Sequence, residues 1–168
     1  MARPRRVVDH RFVGQQTLGK TRDLLRPEDE QQRQGDVEAQ FHLGYMYVEG
    51  QGIPEDFNRG MKLIDNAADR GSVSAITFLA SALSDAPERA EKLWRRAAEL
   101  GDALAQFNLG TYASQGLGGL PQDYSEAAKW YRSAADQGFA AAQYALALMY
   151  QNGRGMPVDF SEAMKWHR

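Results

Sequence analysis

Three short loops in this chain carry the Gly-x-Gly spacing that can turn backbone N–H groups toward a phosphate: Gly50 to Gly52, Gly116 to Gly118 and Gly153 to Gly155. A P-loop follows a strand and ends in Lys-Ser/Thr, which none of these loops does, so the spacing reads as chain reversal. Histidine offers metal and acid–base chemistry. His10, His42 and His167 lie far apart, no pair has the i,i+4 spacing of a helical metal site, and there is no cysteine to assist. A Ser-His-Asp triad lacks the Gly-x-Ser-x-Gly elbow that would present its serine. No catalytic residue, metal ligand or cofactor site is therefore assigned, and no enzyme is expected. Arg3, Arg5, Arg6 and Arg11 oppose only Asp9 and could touch nucleic acid or an acidic membrane. No aromatic side chains interleave them, so a solvated arm is expected and nucleic acid is not.

The totals narrow the class further. At 168 residues this is one domain's worth of chain, and 43% hydrophobic residues can fill a continuous core. The formal net charge of −2 gives no field drawing the molecule to nucleic acid or membrane. The absence of cysteine excludes disulfides and thiolate metal sites. No apolar run reaches the roughly 20 residues that span a bilayer. Val7-Val8 is followed at once by Asp9-His10-Arg11, which does not make a secretory signal. A cytoplasmic location is expected if the chain is complete at its N terminus.

Any site must be positioned by repeated elements. Ala67-Ala68-Asp69-Arg70-Gly71 recurs as Ala97-Ala98-Glu99-Leu100-Gly101 and as Ala134-Ala135-Asp136-Gln137-Gly138. Ala39-Gln40-Phe41-His42-Leu43-Gly44 recurs as Ala105-Gln106-Phe107-Asn108-Leu109-Gly110 and, loosened, as Ala142 to Ala147. Anchoring on Gly35, Gly71, Gly101 and Gly138 gives spacings of 36, 30 and 37 residues. Repetition at this period means stacked copies of one unit. Each unit reads as helix A, glycine-rich loop, helix B, glycine. In the third, Asp102 caps helix A, and Ala105, Leu109 and Ala113 recur at i, i+4, i+8. Asp123 with Glu126 opens helix B as a capping box, a pattern repeated by Asp159 with Glu162 and by Asp85 with Glu88, while Asp56 keeps only the cap. Helix B then buries Ala127, Trp130, Tyr131 and Ala134, and Gly138 closes it in the left-handed conformation. Trp94, Trp130 and Trp166 read as one register, wedged between units. The second unit lacks its middle loop, and the fourth stops at Trp166-His167-Arg168, before a closing glycine. Pro27 to Gln34 reads as the end of a preceding helix B capped by Gly35. The expected organisation is a basic, partly flexible arm over 1–34 with a short leading helix, then repeats over 35–70, 71–100, 101–137 and 138–168.

These phrases resemble Sel1-like repeats, relatives of the tetratricopeptide repeat. The third unit carries the pattern most fully, in Ala105, Leu109, Gly110, Gly116, Gly118, Asp123, Ala127, Lys129, Trp130, Tyr131, Ala134, Ala135 and Gly138. Ala113 stands where a tyrosine is usual. The resemblance covers residues 35–168 and implies an all-α fold, a right-handed α-solenoid of about four helix–loop–helix units that binds other proteins.

If Ala39, Leu43 and Tyr47 face inward, then 100° steps around the helix turn Glu38, His42, Tyr45 and Glu49 the other way. The equivalent positions include Phe78 and Ser81 in the second unit, and Asn108, Thr111 and Gln115 in the third. In arrays of this kind helix A lines the concave groove, so these nine residues are the candidate protein-binding face. Tyr45 and Phe78 are its aromatic anchors. The expected function is a non-catalytic scaffold or adaptor for a protein partner, without a cofactor. A specific inhibitor of one toxin or enzyme is the alternative the same fold allows, and a hydrolase-like enzyme is a more distant one.

Overall fold

Helix-forming stretches with their own start and stop signals divide the chain, and the computed structural model, which describes residues 27–167, shows eight helices and no strand among them. Helix α1 spans Pro27–Glu49, α2 Phe57–Asp69, α3 Val73–Ala82, α4 Pro87–Glu99, α5 Ala103–Gln115, α6 Tyr124–Asp136, α7 Ala140–Asn152 and α8 Phe160–Trp166. The arginine-rich start and His10 lie outside the described residues. Contacts divide the chain into Met1–Asp36 and Val37–Arg168. In the second of these, each helix packs on its neighbours in sequence order from α2 to α8. The odd-numbered helices are helix A of each unit and the even-numbered ones helix B. This sequential packing is an α-solenoid.

The repeated Ala-Ala-x-x-Gly phrase is a helix terminator. Gly71 N–H donates to Ala68 O at 3.0 Å and Ser72 N–H to Ala67 O at 2.9 Å, the crossed pair of a Schellman motif. Gly101 with Asp102 and Gly138 with Phe139 repeat it on Ala97, Ala98, Ala134 and Ala135. The double alanines are buried because helix B must lie close to the next helix A. The residue after each glycine opens the next helix at once. Ser72 Oγ accepts from Ala75 N–H at 3.1 Å and Asp102 Oδ1 from Ala105 N–H at 2.7 Å. The helix B caps Asp56, Asp123 and Asp159 also form as expected, at 3.0, 2.9 and 3.0 Å.

Three expectations are corrected. Asp85 does not cap α4. The N-cap is Ala86, with no side-chain bond, because Pro87 takes the first helical position, where its fixed φ and missing N–H fit. Gly35 does not close a helix. It lies inside α1, and Gln31-Gln32 stand where the other terminators have two alanines. The three tryptophans do not share one register. Trp94 lies four residues after Ala90, the register of Tyr131 after Ala127 and of Ile64 after Gly60. That register is the buried one, at 5% exposure for Trp94, 7% for Tyr131 and 0% for Ile64. Trp130 and Trp166, three residues after their alanines, are only half-buried. Trp130 packs on the core of Ile64, Trp94 and Leu109, so it ties the third unit back to the second, whereas Trp166 leans on the core of Tyr131 and Leu146.

The small residues of helix A do what their size implies. A β-carbon on Gly110 would lie 2.6 Å from the Tyr131 ring, and one on Gly44 would lie 2.8 Å from Ile64 Cγ1. In the glycine loops, a β-carbon on Gly118 would meet Pro87 O at 3.1 Å, and one on Gly155 would meet Tyr124 O at 2.4 Å. The loops of the third and fourth units therefore rest their second glycine on the start of the preceding unit's helix B, whereas Gly52 in the first meets only Met46 Cε at 3.9 Å.

Candidate functional site

The exposed rows of helix A follow from which rows the stacking buries. Ala105, Leu109 and Ala113 are buried in α5, as are Ala142 and Leu146 in α7. In α1 the matching Ala39 is exposed and Leu43 is 43% exposed. The expectation that they face inward fails, because among the described residues no helix B precedes α1 to cover that stripe.

The remaining rows carry the nine candidate residues, and none of them is fully buried. At one end they meet in an aromatic cluster. The Tyr45 and Phe78 rings stand edge to face at 5.9 Å and 90°. Phe41 lies 6.1 Å from Phe78, and His42 lies 5.3 Å from Phe41. Phe41 and Phe78 also pack on the core, so this cluster is a rigid base, while His42 stands exposed on it. Phe41 was not among the predicted residues. Its signal was its repetition as Phe107, which lies 5.6 Å from Tyr131 and 5.4 Å from Phe139.

The other positions differ in character. Glu38 and Asn108 are half-buried, and Glu49 and Gln115 are exposed. Ser81 Oγ donates back to Thr77 O at 2.8 Å. Thr111 has a structural duty: its hydroxyl donates to Phe107 O and shares a 3.2 Å hydrogen bond with Tyr131 Oη, which also meets Ser114 Oγ at 3.3 Å. This satisfies a phenol that would otherwise be buried unpaired. Beside it, between α5 and α7, lies a cavity of about 160 Å³.

Beneath this face runs a feature the sequence reading missed. Gln106, 8% exposed, donates from Nε2 to Ala98 O at 3.4 Å and accepts from Gln137 Nε2 at 2.8 Å. Gln143 repeats the first bond on Ala135 O at 3.3 Å, and Gln40 repeats the second, accepting from Arg70 Nη1 at 2.7 Å. Gln106 and Gln143 thus give a second donor to a helix-end carbonyl of the preceding unit that already accepts from the closing glycine. In the second unit the same two positions are Ile76, fully buried, and Leu100, 53% exposed, so apolar residues stand where the other units have polar ones.

The chemistry of the face is that of contact. Among the described residues no group of three His, Cys, Asp or Glu side chains is placed to hold a metal ion, and no helix is long and apolar enough to cross a membrane. Two of the Gly-x-Gly loops, at Gly118 and Gly155, lie against backbone at the start of a preceding helix B. Lys165 has its pKa raised by a hydrogen bond to Glu162 and by that carboxylate's charge. The pair is exposed and stands on α8, away from the aromatic cluster.

A family model described as the Sel1 repeat matches residues 37–72, 83–102, 103–139 and 140–168. An F-box protein of Arabidopsis thaliana is 35% identical over 114 residues, which is 66% of this chain and 32% of that protein. The crystal structure of a Sel1 repeat protein from Oxalobacter formigenes matches with a TM-score of 0.70 at 32% identity, over 77% of this chain and 39% of that one. A protective antigen of uropathogenic Escherichia coli strains, displaying an SLR fold, matches with a TM-score of 0.66 at 30% identity, over 83% of this chain and 30% of that one. The chain therefore spans between 30 and 39% of the length of these proteins.

Proposed function

Because the chain belongs to the Sel1 repeat family, we propose that it is a non-catalytic adaptor that holds a segment of a partner protein along the concave face lined by its A helices. Sel1 repeats mediate protein–protein binding, and their arrays serve as interaction scaffolds. The observation that carries the reading for this chain is the cluster of Phe41, His42, Tyr45 and Phe78. Aromatic side chains fixed at their base and open at their tip are what binding hot spots are made of. Their packing means that little side-chain freedom is lost on binding, which favours affinity from a modest area.

The test is affinity capture from the native source with the intact chain, followed by identification of what it retains. Replacing Tyr45→Ala and Phe78→Ala together is expected to abolish that capture while the far-ultraviolet circular dichroism stays helical. Phe78 also packs on the core, so His42→Glu, at an exposed position, is the second variant. It is expected to weaken capture without changing the melting curve. Capture unchanged in both variants would remove the face from this role.

A further inference from the structure

The cavity between α5 and α7 lies on the same helix A face as the aromatic cluster, two units further along. Ala145 holds the register that Phe78 fills in the second unit, so a ring's worth of space is left open above Tyr131. The walls are Tyr131, Leu148, Met149 and Ala145, with the polar Ser114 and Asn152 and with Tyr124 and Arg154 also lining it. Its volume of about 160 Å³ compares with the roughly 150 Å³ that accommodates benzene in an apolar protein cavity. The phenol of Tyr131 is already bonded to Thr111 and Ser114, so this hydroxyl asks nothing polar of an occupant. The charged lining group is different. Arg154 is exposed, its guanidinium lies 5.5 Å from the Tyr124 ring centroid, and no carboxylate is within ion-pair distance of it among the described residues. Gln122 in turn holds the Tyr124 hydroxyl at 3.0 Å. The cation is thus positioned over the Tyr124 ring, with no carboxylate partner among the described residues.

We propose that this cavity is a specificity subsite that takes one large apolar side chain of an extended partner segment, with Arg154 selecting an acidic residue two positions away. The spacing follows from strand geometry: residues i and i+2 of an extended peptide face the same way, so a ring in the cavity sends the second side chain along the same surface. The proposal rests on the groove reading above and adds the chemistry of what the groove prefers. It assigns the occupant to a protein segment carrying the pattern acidic–x–aromatic or aromatic–x–acidic.

The probe is the blocked peptide acetyl-Glu-Ser-Phe-Ser-Glu-amide, which offers an acid on both sides of the ring, titrated into the ¹⁵N-labelled full chain and followed by amide chemical shifts. Saturable shifts are expected at Ser114, Tyr131, Ala145 to Met149 and Arg154. Changing both Glu to Gln in the peptide is expected to weaken binding about two- to fivefold, the worth of a partly exposed ion pair. Changing its Phe to Ala should remove saturation. Arg154→Gln should make the Glu and Gln peptides equal. Ala145→Phe should abolish binding of both, and it places at that register the residue the second unit already carries, so the fold has a precedent for it. If that variant melts early, Leu148→Trp serves the same purpose. Equal affinity of the Glu and Gln peptides for the unaltered chain overturns the proposal, as do shifts away from the cavity or binding that survives a filled one. Partner capture that persists in Ala145→Phe but is lost on replacing Tyr45 and Phe78 would sink the subsite and leave the groove standing. The converse result would do the opposite.

Discussion

Two glycines separate the cost of a backbone conformation from the cost of a contact. Gly138 and Gly155 both have positive φ, +84° and +72°, where a β-carbon costs about 1–2 kcal/mol. Around Gly138 nothing lies within 4 Å of the position an added β-carbon would take, so Gly138→Ala is expected to lose that conformational term alone. At Gly155 the added carbon would lie 2.4 Å from both the carbonyl carbon and the oxygen of Tyr124, and 2.7 Å from Ser125 N. These are backbone atoms at the start of α6 and cannot swing aside. The loop must withdraw from the preceding unit, a strain of the overpacking kind that costs about 1–3 kcal/mol further. Equilibrium urea unfolding by circular dichroism and tryptophan fluorescence measures both variants. Gly155→Ala is expected to be the less stable by about 1–3 kcal/mol, seen as a lower midpoint or as separate early loss of the fourth unit. Equal losses, within about 0.5 kcal/mol, would refute the reasoning, because the loop would then not be a unit-to-unit contact.

Gln106→Leu removes one of the two acceptors of Gln137, leaving Gly101 O at 3.0 Å, and the second donor to Ala98 O, which keeps Gly101 N–H, so a loss of about 0.5–1.5 kcal/mol is expected in the same urea assay. Adding Gln137→Leu imitates the apolar Ile76 and Leu100 pair and is expected to recover part of it, which a double-mutant cycle reads directly. Trp94→Ala, in the buried register, is expected to cost about 3–5 kcal/mol, and Trp130→Ala clearly less because its ring is half exposed. Equal melting curves for the two would contradict the register.

The architecture was legible because its signals are local and repeated. The Ala-Ala-x-x-Gly phrase states both a terminator and its acceptors, and Asp three residues before Glu states a helix start. What was misread depended on comparing units by residue type. Trp94 was aligned with Trp130 because both are tryptophan, although Gly101 lies seven residues after the first and Gly138 eight after the second. Gly35 was read as a terminator from its spacing alone, and helix continued through it once the alanines were missing. Asp85 lost to a proline two residues away. The rows that carry Tyr45 and Phe78 were counted in 100° steps from Ala39 and Leu43, which turn out to be exposed because no described helix B covers them. The cavity at Ala145 was not, since it requires a missing side chain on α7, a phenol from α6 and a guanidinium beyond α7 to come together in space. The bonds that Gln106 and Gln143 donate were hidden for a similar reason: their acceptors are main-chain oxygens of the neighbouring unit, which no side-chain pattern records.

One residue ends helix B's terminator and also opens the following helix A: Ser72, Asp102 and Phe139 each hold both posts. There is no slack at these joints. The angle from one hairpin to its successor is set by the left-handed glycine and the extended residue after it, as in Gly71 and Ser72, with no spare amino acid between them. Length change is tolerated only on the opposite edge, where Leu83 to Ala86 already replaces a full glycine loop. A segment held along these hairpins, as proposed above, would meet joints that cannot lengthen to suit it.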